Sequence, residues 1–561
     1  MSNFNRREFL RIAAATSGSL VVSTQLTGCA SLPDKKLSNA TFTHGVASGD
    51  PLADSVILWS RAIPANPQEH IQLRYEVSLD DNFSQIIRSG LVTSNADKDF
   101  TVKVDVTGLD AGVSYYYRFV AADNQSLVGR TKTLPRGNVS ELNLAVFSCS
   151  NYPAGYFNAY MDAAKRTDID VVLHLGDYIY EYQMGGYATG KAKEIGRELA
   201  ADNQDEILGL SDYRKRYALY RTDNGLLALH AAQPFIVVWD DHEVCNDTWR
   251  EGAQNHNQGE GDYFERRAAA VQAYYEWLPI RPPMGEGHPQ IYRSFDFGDL
   301  LSLHMLDTRL IARDKQMKYN SYKTAAGFDG PRFEQDISAP DRALIGKQQF
   351  DWLAKGISKS NAKWQLIGQQ VLMTKMHFPA EIFAKNGRAR FAEIITELSK
   401  VKAALSKGET VTEQQLARVQ AVLPLNLDAW DGYPMEREKL YSVAQKLGKQ
   451  LVVVAGDTHN AWHGNLTNQQ GELVGVEFAT PGVTSPGMER YLRLSTEKAN
   501  SLAQELSVLI DDLRYCNLHQ RGYLTLKVSP LKVSAHWYYL DNILSEDYSI
   551  IDEHQAEYSQ S

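Results

Sequence analysis

Cysteine is scarce in this chain. Cys29, Cys149, Cys245 and Cys516 are the only four in 561 residues, which excludes a disulfide framework and leaves each to be explained on its own. No long basic run follows the first residues, and the net charge is −10. That excludes the cationic face needed to bind a nucleic-acid backbone. The acidity reads as solubility, with a part available to neutralise bound cations. Beyond the N-terminal region no segment has the roughly 20 apolar residues of a membrane-spanning helix. Internal repeats, low-complexity stretches and a Gly-x-Ser-x-Gly nucleophile elbow are missing too. What is present is a large core supply, 43% apolar with 10% aromatic residues, on a length that calls for two or three domains.

Near the start, Asn5-Arg6-Arg7-Glu8-Phe9-Leu10-Arg11 precedes a weakly apolar run from Ile12 to Leu26. A basic flank and a short, mild apolar stretch form an export leader and not a membrane span. The paired arginines followed by Phe-Leu resemble a twin-arginine signal, and Leu26-Thr27-Gly28-Cys29 resembles a lipobox. The expectation is a leader over 1–29, a lipidated Cys29 and a polar tether over 30–40. The protein is then exported by the twin-arginine machinery and held at the periplasmic or cell surface by its lipid alone. Ala30 after the cysteine implies the outer membrane in a Gram-negative cell. Twin-arginine export carries folded proteins, which suits a chain that takes up metal first.

From 41 to 135 the pattern is all β. Leu73-Arg74-Tyr75-Glu76-Val77 and Thr101-Val102-Lys103-Val104-Asp105-Val106 alternate with period two. Gly108-Leu109-Asp110-Ala111-Gly112-Val113-Ser114-Tyr115 resembles the tyrosine corner of Ig-like sandwiches. A fibronectin III-like β-sandwich is expected, with Tyr115, Tyr116 and Tyr117 as packing residues. After a linker at Leu134-Pro135-Arg136-Gly137-Asn138, strands alternate with helices. Strands are predicted over 142–147, 171–175, 235–239, 301–306, 364–368 and 451–455, and a helix over 155–166. A charged stretch, 388–423, reads as a helical hairpin insertion with solvated faces. Residues 523–528 and 531–538 read as a closing β-hairpin, and 546–561 as a tail. The fold class is α+β, with a sandwich followed by an α/β domain spanning 140–545.

Four of the predicted strands end in polar, metal-binding side chains. They run into Ser148-Cys149-Ser150, Gly176-Asp177-Tyr178-Ile179-Tyr180, Asp240-Asp241-His242-Glu243-Val244-Cys245-Asn246 and Gly456-Asp457-Thr458-His459. Ligands gather at the carboxyl ends of strands in open α/β sheets. Carboxylate, thiolate, phenol, amide and imidazole together suit hard or borderline cations, and two such ions suit phosphoester hydrolysis. Tyr180 reaches the Asp177 site if the chain turns helical there. Asp457 and His459 serve one site if their segment is extended, with His463 behind them. Asp240, Asp241, His242, Glu243, Asn246 and Asp247 crowd eight positions, and a cation would relieve their repulsion.

These motifs resemble the alkaline phosphatase D (PhoD-type) family and, more distantly, the purple acid and calcineurin-like metallophosphoesterases. The blocks Phe42 to Pro51, FSCSNYPAGYFNAY, LHLGDYIYEY and VWDDHEVCND carry the resemblance. It implies an α/β/β/α double-sheet domain and a metal-dependent phosphomonoesterase or phosphodiesterase containing ferric iron (Fe3+) and calcium (Ca2+). It implies Cys149, Asp177, Tyr180 and His459 as iron ligands, with Asp177 bridging to calcium. Asn246 and Asp457 follow as calcium ligands, together with Asp240 or Asp241. Arg250, Arg309 and His242 are the phosphate-contact candidates. The chain is expected to be a monomer acting on a phosphoester, with a phospholipase D-like or polymer phosphodiesterase activity as the alternative. Two readings of another class are a non-heme iron redox protein and a non-catalytic surface lipoprotein.

Overall fold

The structure is a computed structural model that describes residues 20–22, 36–282, 290–325, 327–384 and 386–559. The paired arginines Arg6 and Arg7, and Cys29, lie outside the described residues. The N-terminal part is the expected sandwich. Strands Thr41–Gly49, Ser55–Ile63 and Thr101–Thr107 form one sheet face, and Ile71–Ser78, Ile86–Ser94, Ser114–Val120 and Gly129–Lys132 the other. The Asp110 backbone N–H donates to the Tyr115 hydroxyl at 2.8 Å, the bond that defines a tyrosine corner. Tyr115 and Tyr117 are buried in the sandwich core, while Tyr116 is half-buried.

The sandwich does not end where the next domain begins. Thr41–Gly49 pairs in parallel with Pro234–Val237, Gly49 facing Phe235. One ten-stranded sheet therefore runs through both halves. Its centre is three parallel strands, Leu142–Phe147, Val171–His174 and Pro234–Val237. Their continuous apolar composition fits burial on both faces. Arg521–Val528 and Lys532–Leu540 extend the sheet as the predicted hairpin. The segment expected as a tail instead supplies the edge strand Ile550–Ser559, with Ala556 facing Ala535. Alternating polar and apolar residues there suit a half-covered edge.

A second sheet of seven strands is built around the parallel set Leu301–Met305, Trp364–Gly368, Leu451–Ala455 and Leu473–Ala479. The two sheets pack face to face. Leu144, Leu303, Leu366, Val452, Phe478 and Trp537 belong to one buried cluster that also holds the outer helices of the first sheet. Beyond the second sheet, Ile367 and Val453 pack with Leu353, Leu440 and Leu506 of the helices Gly346–Lys359, Pro434–Lys446 and Thr496–Leu509. This is the expected double-sheet sandwich with helices outside. Each fully buried Val or Leu contributes roughly 1.5–3 kcal/mol, so the strand ends are firm ground for short, strained loops.

The insertion forms the expected helix pair, Phe391–Ser406 and Glu413–Gln420, the second capped by Thr412 and Gln415. Cys245 and Cys516 are buried, unpaired and in separate cores. Among the described residues no helix is long and apolar enough to cross a membrane.

Candidate metal centre

The strands Leu142–Phe147, Val171–His174, Pro234–Val237 and Leu451–Ala455 run directly into the four motifs, and the motifs meet. Sharp turns at the strand ends make this possible. Cys149, Asp177, Asp457 and His459 have φ of 61°, 56°, 61° and 63°, left-handed conformations that side chains of this kind adopt at some cost. The expected extended geometry at Asp457 and His459 is therefore replaced by two left-handed residues that turn both side chains inward. Likewise Tyr180 reaches Asp177 through a bend and not a helical turn. Two glycines let the loops touch. A Cβ on Gly176, itself at φ +102°, would lie 2.3 Å from the Asp240 nitrogen, and one on Gly456 would lie 2.2 Å from Ser148 Oγ.

Three donor groups result. The first joins Cys149, Asp177 and His459, whose ligand atoms lie within 4.8 Å of one another. Tyr180 completes it, donating from its hydroxyl to Asp177 Oδ2 at 2.8 Å and lying 3.3 Å from His459 Nε2. Ser485 donates to the Tyr180 oxygen at 2.6 Å. The Pro486 carbonyl lies 2.8 Å from His459 Nδ1, which fixes the ring and leaves Nε2 for the site. Burial and the Asp177 carboxylate push both the Cys149 thiol and the Tyr180 phenol well above their ordinary values. A cation would reverse that balance.

The second group is Asp177, Asp241 and His242, and the third Asp240, Asp241 and Asp457. Asp177 and Asp241 each belong to two groups, so the three form one chain of donors. Asp177 Oδ1 and Asp240 Oδ2 are buried without a hydrogen-bond partner among the described residues. Orphaned carboxylate oxygens in a dry cluster are what metal ligands look like without the metal. The residues present fit such ions.

Arg309 is the largest correction to the expected roles. It is fully buried, donating to Asp240 through Nε, to Asp457 through Nη2 at 2.9 Å and to Asp428 through Nη1 at 2.8 and 3.0 Å. Its guanidinium thus balances the carboxylates and is not presented to a substrate. Burial nevertheless raises Asp240 and Asp457 well above the carboxylate range. For Asp241 burial is outweighed by Arg309 and His242, and its carboxyl is held low. Arg250 is also not at the cluster. It is turned outward to Glu251 and Asp314, at 3.3 and 3.0 Å. Asn246 lies at the margin, its amide donating to Gln254 at 3.0 Å. His463 sits on the Ala461–Thr467 strand against Phe478 and Trp537, away from the centre.

Several residues outside the expected ligand set hold the site together. Glu243 accepts from the backbone N–H groups of Asp177, Tyr178 and Asp240 at 3.1, 2.6 and 2.7 Å, clamping the second loop to the third. Glu181 accepts from His242 Nδ1 at 2.7 Å and from the Asn246 backbone at 2.8 Å. Asp428 follows only the three-residue strand Val422–Pro424, too short for an apolar run to mark it. Gln370 donates to the carbonyls of Trp239 and Leu306 at 2.7 and 3.0 Å. It also accepts from the Thr308 hydroxyl at 2.7 Å, joining the loops that carry Asp240 and Arg309.

Comparison with known proteins agrees with this architecture. Residues 144–537 match the family described as PhoD-like phosphatase, and residues 28–135 its N-terminal domain. The chain is 33% identical over 557 residues to alkaline phosphatase D of Bacillus subtilis (strain 168), covering 96% of this chain and 84% of that protein. A solved structure titled "Structure of PhoD" superimposes with a TM-score of 0.74 at 30% identity, covering 94% of this chain and 92% of that one. Fold and relatives together define a phosphoric ester hydrolase. The chain belongs to the PhoD-like phosphatase family.

Proposed function

We propose that this chain is an exported phosphatase that hydrolyses phosphomonoesters or phosphodiesters at a centre of ferric iron and calcium. The observation that carries the reading is the chain of three donor groups sharing Asp177 and Asp241, with unbonded, buried oxygens on Asp177 and Asp240. Cys149, Asp177, Tyr180 and His459 offer sulfur, carboxylate, phenol and imidazole, a set suited to iron. Asp240, Asp241 and Asp457 offer hard oxygens suited to calcium, with Asn246 at the margin. When bound, such ions lower the pKa of a water and offset phosphoryl charge.

The chain's own residues do the rest. Asp177 holds the shared position between the donor groups. His242, oriented through Nδ1 by Glu181, keeps Nε2 free to donate to a phosphoryl or leaving oxygen. Arg309 offsets the carboxylates so that they stay packed. Buried loop backbones around Cys149 and Asp177 keep bulk water from the donors and strengthen every electrostatic contact there. The twin-arginine motif and Cys29 support export, with a lipid as the only membrane attachment and a monomer as the unit.

The test is hydrolysis of paired monoester and diester substrates by the purified full chain, read as release of the ester's alcohol, with and without a calcium chelator. Hydrolysis that is lost on chelation and restored by calcium is expected. Chelator-insensitive turnover would remove calcium from the reading, and no turnover by the metal-replete protein would overturn it.

A further inference from the structure

We propose that a cavity beside the metal centre is the subsite for the alcohol part of the substrate, and that it favours phosphoesters whose alcohol combines an apolar segment with a second anionic group. This rests on the phosphatase reading above. The cavity holds about 550 Å3 and is lined by both Asp247 and Asp428. Asp428 is bound by Arg309, and the Asp247 backbone donates to Asp241 at 2.6 Å. The cavity therefore shares a wall with the carboxylate cluster. A phosphate held at the donors has its ester substituent next to this space. The volume is that of a site for a small organic group and exceeds what a bare phosphate needs.

Its lining has two further kinds of surface. Phe383, Leu425 and Leu427 are apolar, and Tyr319 packs tilted against Phe383 with ring centres 4.5 Å apart. The Tyr319 hydroxyl donates to the Pro424 carbonyl at 2.5 Å, which fixes that ring. Lys318, Lys323 and Arg388 also line the cavity. All three are exposed, and none forms an ion pair among the described residues. Lys318, Lys323 and Arg388 outnumber Asp247 and Asp428 in the lining, and Asp428 is already paired with Arg309 and Arg313, so the cavity carries a local positive charge that attracts an anion. Arg388 opens the helical insertion, so that insertion forms a specificity wall and is not only a solvated appendage.

A ladder of alkanediol bisphosphates with four, six and eight carbons tests this against the matching ω-hydroxyalkyl monophosphates. Both series are assayed by phosphate release with the metal-replete full chain and with Lys318→Gln/Lys323→Gln/Arg388→Gln. At least one bisphosphate is expected to exceed its monophosphate in kcat/KM by about tenfold, mainly through KM. In the triple variant the ratio falls to about twofold, the statistical advantage of two ends. If no bisphosphate exceeds twofold, or the variant keeps the advantage, the subsite is overturned while the phosphatase reading stands. If nothing in either series is hydrolysed by the wild-type chain, the subsite is overturned, and the phosphatase reading falls with it only if the diester substrates are not hydrolysed either.

Discussion

The Tyr180 hydroxyl donates to Asp177 Oδ2 at 2.8 Å, although the two residues are joined by a bend and not by a helix. The contact places a phenol beside the carboxylate common to two donor groups. On the proposed reading, ferric iron holds that phenol as phenolate, which gives a visible charge-transfer band. Tyr180→Phe keeps the ring and removes the donor. It is expected to abolish the band and to lower turnover on the order of 10–100-fold. Tyrosinate vibrations retained in the variant's resonance Raman spectrum would remove Tyr180 from the ligand set, whereas a residual band from the Cys149 thiolate would not.

Asp177 serves two groups and Cys149 one. Asp177→Asn is therefore expected to cost more activity than Cys149→Ser, and to lower the content of both metals where Cys149→Ser lowers iron alone. Metal analysis of both variants beside their kcat/KM checks this. The reverse order would contradict the shared position.

Arg309 is the one guanidinium that touches Asp240, Asp428 and Asp457. Arg309→Met leaves Asp240 and Asp457 uncompensated, while Asp428 keeps Arg313, a change that costs about 3–5 kcal/mol in comparable buried pairs. Denaturant unfolding in chelator should show that loss. Added calcium should narrow the gap between variant and wild type, because a bound cation replaces the missing charge. A gap that calcium leaves unchanged would show that the third group does not take the ion.

Glu477 lies far from the centre in the second sheet, where burial raises its carboxyl from 4.5 to about 7. Its partners are the backbone N–H groups of Met373 and Thr374 at 2.7 and 2.9 Å, and Arg437 and Tyr441 are the ionisable groups beside it. The folded state holds this proton more tightly than the unfolded chain. Its contribution is complete below about pH 4.5 and is lost as pH rises to 7, by about 3 kcal/mol at most. Glu477→Gln should flatten the stability profile over that window. An unchanged slope would mean that Glu477 is ionised throughout.

The strand ends were legible because fully buried parallel strands are written as continuous apolar runs. Cys149, Asp177, Asp240 and Asp457 follow such runs by one to three positions, and all are brought together. The tyrosine corner and helical hairpin carried local signals of the same strength. Other features leave no local trace. Arg309 reads as a phosphate-contact candidate, and only tertiary structure reveals its three carboxylate partners. Asp428 follows only a three-residue strand, and Glu243 clamps the backbone of Asp177 and Tyr178, more than sixty positions away. The continuity of the sandwich with the catalytic sheet rests on two residue pairs at Ser48 and Gly49. A pattern of alternation cannot announce which foreign strand will lie alongside. The left-handed turns at Asp457 and His459 escape for a different reason, since non-glycine residues adopt them only where surrounding structure compels it.

The most direct test of the account is anomalous diffraction from crystals of the metal-replete protein, with data on both sides of the iron K edge. The account predicts an iron peak within bonding distance of Cys149, Asp177, Tyr180 and His459, with a second, non-iron cation sharing Asp177. An iron peak elsewhere, or none in a protein that hydrolyses phosphoesters, would contradict it.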